Sequence, residues 1–204
     1  MQAAQTGLPI LPRPVPGLVL ASASPRRLDL LAQIGLVPER VIDTDIDETP
    51  RKAELPPAYV ERVARAKAAA ARVLLDASAL ILAADTVVAV GRRLLPKALD
   101  EATARRCLDL LSGRRHRVLT AVVLQHPQGC NLRIVESVVA FARLTDAHKQ
   151  ALLDAGDWQG KAGGYAIQGR SAAHIRFLSG SHSNVVGLPL FETAQLLRSR
   201  AVIP

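Results

Sequence analysis

An α/β fold, a mixed sheet flanked by helices, is predicted by three features of this 204-residue chain. Short apolar runs alternate with amphipathic helical stretches through the first half, the order expected of a layered α/β domain. Two long strand-like runs separated by a turn follow, which is a hairpin pattern. At the centre lies Leu80–Val90, LILAADTVVAV, too continuously apolar for a half-exposed strand and therefore read as a buried one.

The elements follow in order. Residues 1–17, MQAAQTGLPILPRPVPG, are Pro-rich and lack the charged start and apolar core of a signal peptide; they read as a flexible extension ahead of a single domain over 18–204. Residues 18–21 form a short strand. Ser24 then N-caps a helix over 25–34, with Pro25 at its first position and Gly35 at its end. A second strand is expected over 41–46, running into acidic Asp45, Asp47 and Glu48. Pro56-Pro57 opens a helix to about Leu75, with an apolar stripe of Val60, Val63, Ala64, Ala71, Leu74 and Leu75. After the central strand, Asp100 caps a helix that ends at Ser112-Gly113. Residues 118–124 and 134–144 read as antiparallel strands joined by HPQGCN at 126–131. Thr145 caps a short helix to about Ala155. Residues 156–169 are Gly-rich and irregular, 174–178 form a short strand, and Pro189 begins a terminal helix to Arg200.

Composition narrows the function. Aromatics are 3% of the chain, so the core is built of Leu, Val, Ile and Ala. The net charge of +8 suits a nucleic-acid binder or an enzyme acting on a polyanionic small molecule. No block of Lys and Arg interleaves with aromatics, so a base-stacking surface and a nucleic-acid partner are not expected. Cys107 and Cys130 are far apart and outside any CxxC pattern, which fits a reducing, cytoplasmic setting rather than a disulfide framework or zinc site. No segment has the apolar length of a membrane span, and no membrane partner is expected. The five histidines are scattered without ligand spacing.

Four segments carry chemistry. Asp85 is the single charge in the central strand, and a carboxylate there needs a cation, a donor network or a metal. A structurally paired aspartate is the plainer alternative. The stretch LASASPRR runs from a strand through a Ser-rich turn into a helix N-terminus, which is an anion site by its free N–H groups and dipole. Ser22 and Ser24 add hydroxyls, and Arg26 and Arg27 sit in a first turn where the dipole disfavours cations unless an anion is near. Asp45, Asp47 and Glu48 are either a solvated acidic loop or oxygen ligands for a hard cation. Lys67 falls on the apolar stripe of its helix, either snorkelling or pointing into a site. Lys97 follows the central strand. The Gly-rich stretches at 163–175 and 180–189 allow close backbone approach to a ligand, and Gln168 offers a donor and an acceptor for a base edge.

In this order, LASASPRR, DIDE (45–48), ARAKA (64–68), AADTVV (83–88), LSGRRHRVLTAV (111–122), GYAIQG (164–169) and SNVVGLP (183–189) resemble the Maf family of nucleoside triphosphate pyrophosphatases. The resemblance spans residues 18–198. It implies an elongated, Maf/ITPase-like fold with a cleft between two lobes, a homodimer, and hydrolysis of a nucleoside triphosphate to the monophosphate and pyrophosphate with Mg²⁺ or Mn²⁺. SPRR, ADT and IQG are similar to the branch acting on dTTP and UTP, so Arg26, Thr86 and Gln168 are expected to set base preference and Asp85 to accept the proton. The metal is expected among Asp47, Glu48 and Asp85. Glu48, Lys67 and Lys97 are expected to act with Asp85 in catalysis, Ser22 and Ser24 to bind substrate, and Arg26, Arg27, Lys67 and Lys97 to stabilise the polyphosphate and the negative charge that grows on it. In place of the family's usual Gly-Lys-Pro the chain has Pro96-Lys97-Ala98. Two other readings stand beside this one: a house-cleaning enzyme for modified pyrimidine nucleotides, and a non-catalytic nucleotide- or nucleic-acid-binding regulator.

Overall fold

The computed structural model describes residues 13–203. Its main sheet has seven strands. In chain order these are β1 (Arg13–Ala21), β2 (Leu36–Ile42), β3 (Leu80–Val90), β4 (Arg93–Leu95), β6 (Arg115–His126), β7 (Gly129–Phe141) and β9 (Ile175–Ser179). The two short strands β5 (Lys97–Ala98) and β8 (Lys161–Ala162) pair separately. The order across the main sheet is β2-β1-β3-β6-β7-β9, with β4 on β3. β1 is parallel to β2 and β3, and the β3–β6–β7–β9 series is antiparallel. This is the mixed sheet with flanking helices that the pattern predicts.

The expected extension over 1–17 divides at Arg13. Its first twelve residues lie outside those described. Residues 13–17, however, are the start of β1, paired with β2 from Arg13↔Leu36. Prolines are tolerated here because β3 joins β1 only from Leu18, so this half of β1 is an edge on that side. Gly17, at φ +74°, takes up the register shift between Val15 and Val19. The second strand also starts earlier than expected, at Leu36, and ends at Ile42, where its pairing with β1 stops. Asp43 onward leaves the sheet.

The helices are α1 (Pro25–Gln33), α2 (Pro56–Arg72), α3 (Glu101–Leu111), α4 (Asp146–Asp154), α5 (His182–Val186) and α6 (Leu190–Arg198). α2 ends at Arg72, so Leu74, expected on the apolar stripe, lies beyond the helix and is 62% exposed. Asp100 and Thr145 cap as expected, accepting from Thr103 N and His148 N. Ser24 occupies the N-cap position of α1, but its side chain makes no capping bond. The hairpin strands are longer than predicted and need only residues 127–128 as a turn. α5 and β8 lie in Gly-rich sequence, and β5 is only two residues long, so none of the three carries a periodic signal.

Alternation along β3 divides the core. Ile81, Ala83, Val87 and Ala89 pack under α2 with Val60, Val63, Ala64 and Ala68. Leu82 and Ala84 face the other way, toward Leu30 and Leu31 of α1 and Leu196 and Leu197 of α6. A third cluster joins Val88, Leu108, Leu111, Phe141, Leu152, Leu153, Tyr165 and Ile167, tying α3 and α4 to the far end of β7.

Candidate active site

The sheet opens where β3 changes partners. β1 follows it from Leu80 to Ala83, and β4 joins it only at Val88. Asp85 and Thr86 sit in that interval, just past the carboxyl end of β1, where ligands gather in open α/β sheets. A cavity of about 320 Å³ lies here. Its lining includes Ser22, Ser24, Arg26, Arg27, Glu48, Lys67, Asp85, Thr86, Lys97 and Gln168. Every candidate site residue except Asp45 and Asp47 is therefore brought to one cleft, from segments up to 146 positions apart, between Ser22 and Gln168.

Asp85 shares the α2 face of β3, and Lys67 of α2 meets it. The Lys67 ammonium is 2.7 Å from Asp85 Oδ1 and 2.8 Å from Glu48 Oε1. Lys67 and Asp85 are only 7% and 3% exposed, so each compensates a charge that burial would otherwise make costly. Of the two readings of Lys67, the structure chooses the one pointing into the site. Lys97, on β5, is ion-paired with the other oxygen of Glu48. The exchange of its flanking residues leaves it at the cavity. Burial raises the Glu48 pKa, but hydrogen bonds from Lys67 and Lys97 outweigh it and hold the carboxyl below its usual range. The loop carrying Glu48 is tied to α2 by Tyr59, whose hydroxyl donates to the Glu48 carbonyl at 2.9 Å, and by Arg62, which reaches Thr49 O and Glu54.

Asp47 is the correction. It is exposed, and its carboxylate turns back to accept from Thr49 N at 2.8 Å. It does not line the cavity, because side chains along this extended loop alternate and Glu48 takes the inward place. The expected trio Asp47, Glu48 and Asp85 is not assembled. Among the described residues no three His, Cys, Asp or Glu side chains come together as a metal-binding group. Glu48 and Asp85 are hard oxygen donors around one point, and they fit a hard divalent cation as part of a set completed by phosphate and water oxygens.

The opposite wall is the turn into α1. Arg27 is buried and held on three sides: Nε donates to Gly187 O at 2.8 Å, Nη1 to Ser22 Oγ at 2.7 Å, and Nη2 to Thr86 Oγ1 at 3.4 Å. Burial lowers its pKa, partly opposed by Asp85. Arg26 is half-buried and has no hydrogen-bond partner among the described residues, so its guanidinium is available to an anion. Burial lowers its pKa also. With no acidic residue in the first turn of α1 and the Ser24 hydroxyl unused as a cap, the helix end is a site for negative charge.

Lys161 is a cation the sequence reading missed. It lines the cavity from β8, beside Gln159, and burial and then Arg26 lower its pKa. A lysine among glycines was the available signal, but its placement depends on β8 pairing with β5, Lys97↔Ala162 and Ala98↔Lys161. Gln168 is exposed at the cavity rim. Tyr165, three residues earlier, is buried against Phe141 and bonded to His116 Nε2 at 2.7 Å.

Comparison with known proteins agrees with this geometry. A relative from Gluconobacter oxydans, named dTTP/UTP pyrophosphatase, is 63% identical over 203 residues, covering 97% of this chain and 91% of that protein. A relative of the same name from Granulibacter bethesdensis is 61% identical, covering 89% of this chain and 92% of its own length. Among solved structures, the Staphylococcus aureus Ham1 protein shares the fold at a TM-score of 0.52 and 14% identity, over 93% of this chain and all of its own. The family model described as Maf-like protein matches residues 17–200. With that model spanning nearly all the described residues, and the motifs that carry it converging on one cleft, this chain belongs to the Maf-like family.

Proposed function

We propose that this protein hydrolyses dTTP and UTP to the monophosphate and pyrophosphate, with a divalent cation, Mg²⁺ or Mn²⁺. The observation that carries the reading is the Asp85–Lys67–Glu48 charge group set against the arginine-lined start of α1 in one cavity. Relatives bearing the dTTP/UTP pyrophosphatase name support the substrate. Glu48 and Asp85 would hold the cation, which when bound offsets phosphate charge and lowers the pKa of a coordinated water.

The chain's own residues do the rest. Lys67 engages Asp85 Oδ1, which orients the carboxylate and leaves Oδ2 to take a proton from the attacking water. Arg26, Lys97 and the α1 N-terminus stabilise the polyphosphate as negative charge grows on the leaving pyrophosphate. Arg27, with three donors engaged inside the protein, frames this wall. Thr86, Gln168 and Arg26 read the base. Modified pyrimidine triphosphates fall within the same reading, as does a homodimer. The free cysteines Cys107 and Cys130 support a cytoplasmic setting.

The test is to incubate the protein with each common nucleoside triphosphate plus Mg²⁺ or Mn²⁺ and assay pyrophosphate and orthophosphate separately. Pyrophosphate from dTTP and UTP is the expected result; orthophosphate overturns the reaction type, and salt-steep DNA binding without turnover favours a regulator. Asp85→Asn should lower kcat about 10²-fold or more with triphosphate binding retained. Near-normal turnover in that variant refutes Asp85 as the base.

A further inference from the structure

The Thr86 hydroxyl reaches the cavity from β3, and what it does there is decided behind it. Thr120, its cross-strand neighbour on β6, is fully buried. The two hydroxyl oxygens are 2.9 Å apart. Thr120 Oγ1 is also 3.0 Å from the carbonyl oxygen of Asn184. A carbonyl only accepts, so Thr120 donates its single proton there. The contact between the threonines then requires the proton of Thr86. The other acceptor for Thr86 among the described residues, Gly187 O at 3.4 Å, also lies inside the protein. In both arrangements the Thr86 proton points inward. Its oxygen accepts from Arg27 Nη2 at 3.4 Å, and the remaining lone pair is left for the cavity. Asn184 is itself fixed, its Nδ2 donating to Val118 O at 3.1 Å and Ser137 Oγ at 3.0 Å.

We propose that Thr120 is a positioning residue that makes Thr86 an obligate acceptor toward the cavity, selecting pyrimidines with an N3–H donor over cytosine. This rests on the dTTP/UTP reading above and deepens it. Uracil and thymine carry a hydrogen on N3. Cytosine N3 bears a lone pair, and opposite Thr86 it would set acceptor against acceptor and leave both unpaired. A site built around one hydrogen bond rejects the analogue lacking it far more strongly than a site built around apolar shape. The selectivity thus originates one residue behind the cavity wall, in a hydroxyl that touches no substrate.

The experiment measures kcat/KM for pyrophosphate release from UTP and CTP in the wild type, Thr120→Val and Thr120→Ser. Valine removes the nearer of the two inward acceptors and leaves only Gly187 O at 3.4 Å, so the Thr86 hydroxyl loses its strongest hold and turns outward to donate when a cytosine N3 lies opposite. The UTP:CTP ratio is expected to fall about 10-fold or more in Thr120→Val and to be restored in Thr120→Ser. A merely structural role lowers both activities together; an unchanged ratio in Thr120→Val overturns the proposal. If the valine variant does not fold, wild-type protein is assayed with UTP and its N3-methyl derivative. A loss of about 10-fold or more with the derivative supports the acceptor role, and equal kcat/KM overturns it. Wild-type protein that releases no pyrophosphate from UTP overturns the functional reading itself, a result distinct from a selective wild type with an equally selective valine variant.

Discussion

At the residue scale, the buried charges were legible as a demand and not as a solution. Asp85 stands alone in an apolar strand, so the sequence requires a partner for it, and Lys67 on an apolar helix stripe is the matching requirement. Only packing of α2 on β3 joins the two. Lys67→Met should leave two carboxylates facing one another without their shared ammonium. Stability is expected to fall by about 3 kcal/mol, read from urea denaturation at neutral pH, and turnover to fall with it. His116 had no visible role in the sequence. Burial pushes its pKa down to about 4, and its Nε2 meets the Tyr165 hydroxyl. The unfolded chain takes up this proton near pH 6.5 and the folded protein only near 4, so stability falls as pH drops through that window. His116→Gln should remove this share of the acid sensitivity, measured as a smaller difference between denaturation midpoints at about pH 7 and pH 4.5. An unchanged difference would place the acid sensitivity elsewhere.

At the element scale, most helices announced themselves through caps and periodicity, and the central strand matched its predicted bounds, Leu80–Val90. The short pieces that complete the cavity did not. β5 and β8 are two residues each, too short for any periodic signal, and they exist because each pairs with the other. The turn after β8 depends on Gly163 and Gly164, at φ +70° and +66°. A Cβ at Gly163 would meet Val88 at 3.0 Å, and one at Gly164 would meet Ala104 Cα at 3.1 Å. Gly164→Ala is therefore strained in backbone and blocked by main chain, and should destabilise by about 2 kcal/mol. Because Lys161 and Gln168 flank this turn at the cavity, KM for UTP should rise as well. A normal melting temperature with normal KM would contradict the argument.

At the scale of the whole molecule, the +8 charge finds its meaning in where the cations converge. Arg26, Arg27, Lys67, Lys97 and Lys161 all line one cavity with Glu48 and Asp85. Such a surplus steers a polyanion toward the cleft and weakens as salt screens it. kcat/KM for UTP should fall about 10-fold between 50 and 500 mM salt, with a smaller change in kcat, as measured by steady-state pyrophosphate release. A salt-independent kcat/KM would remove steering from the account.

The sequence by itself determined the fold class, the central strand, the caps of α3 and α4 and the list of residues worth watching, because periodicity, capping and an isolated buried charge are local facts. Tertiary structure alone decided which of those residues meet. It turned Glu48 inward and Asp47 outward, put Lys161 beside Arg26, drew residues 13–17 into a strand, and set Thr120 and Asn184 behind Thr86. These outcomes rest on strand register and on which face of the sheet each helix covers, and contacts between residues far apart in the chain leave no periodic mark in it.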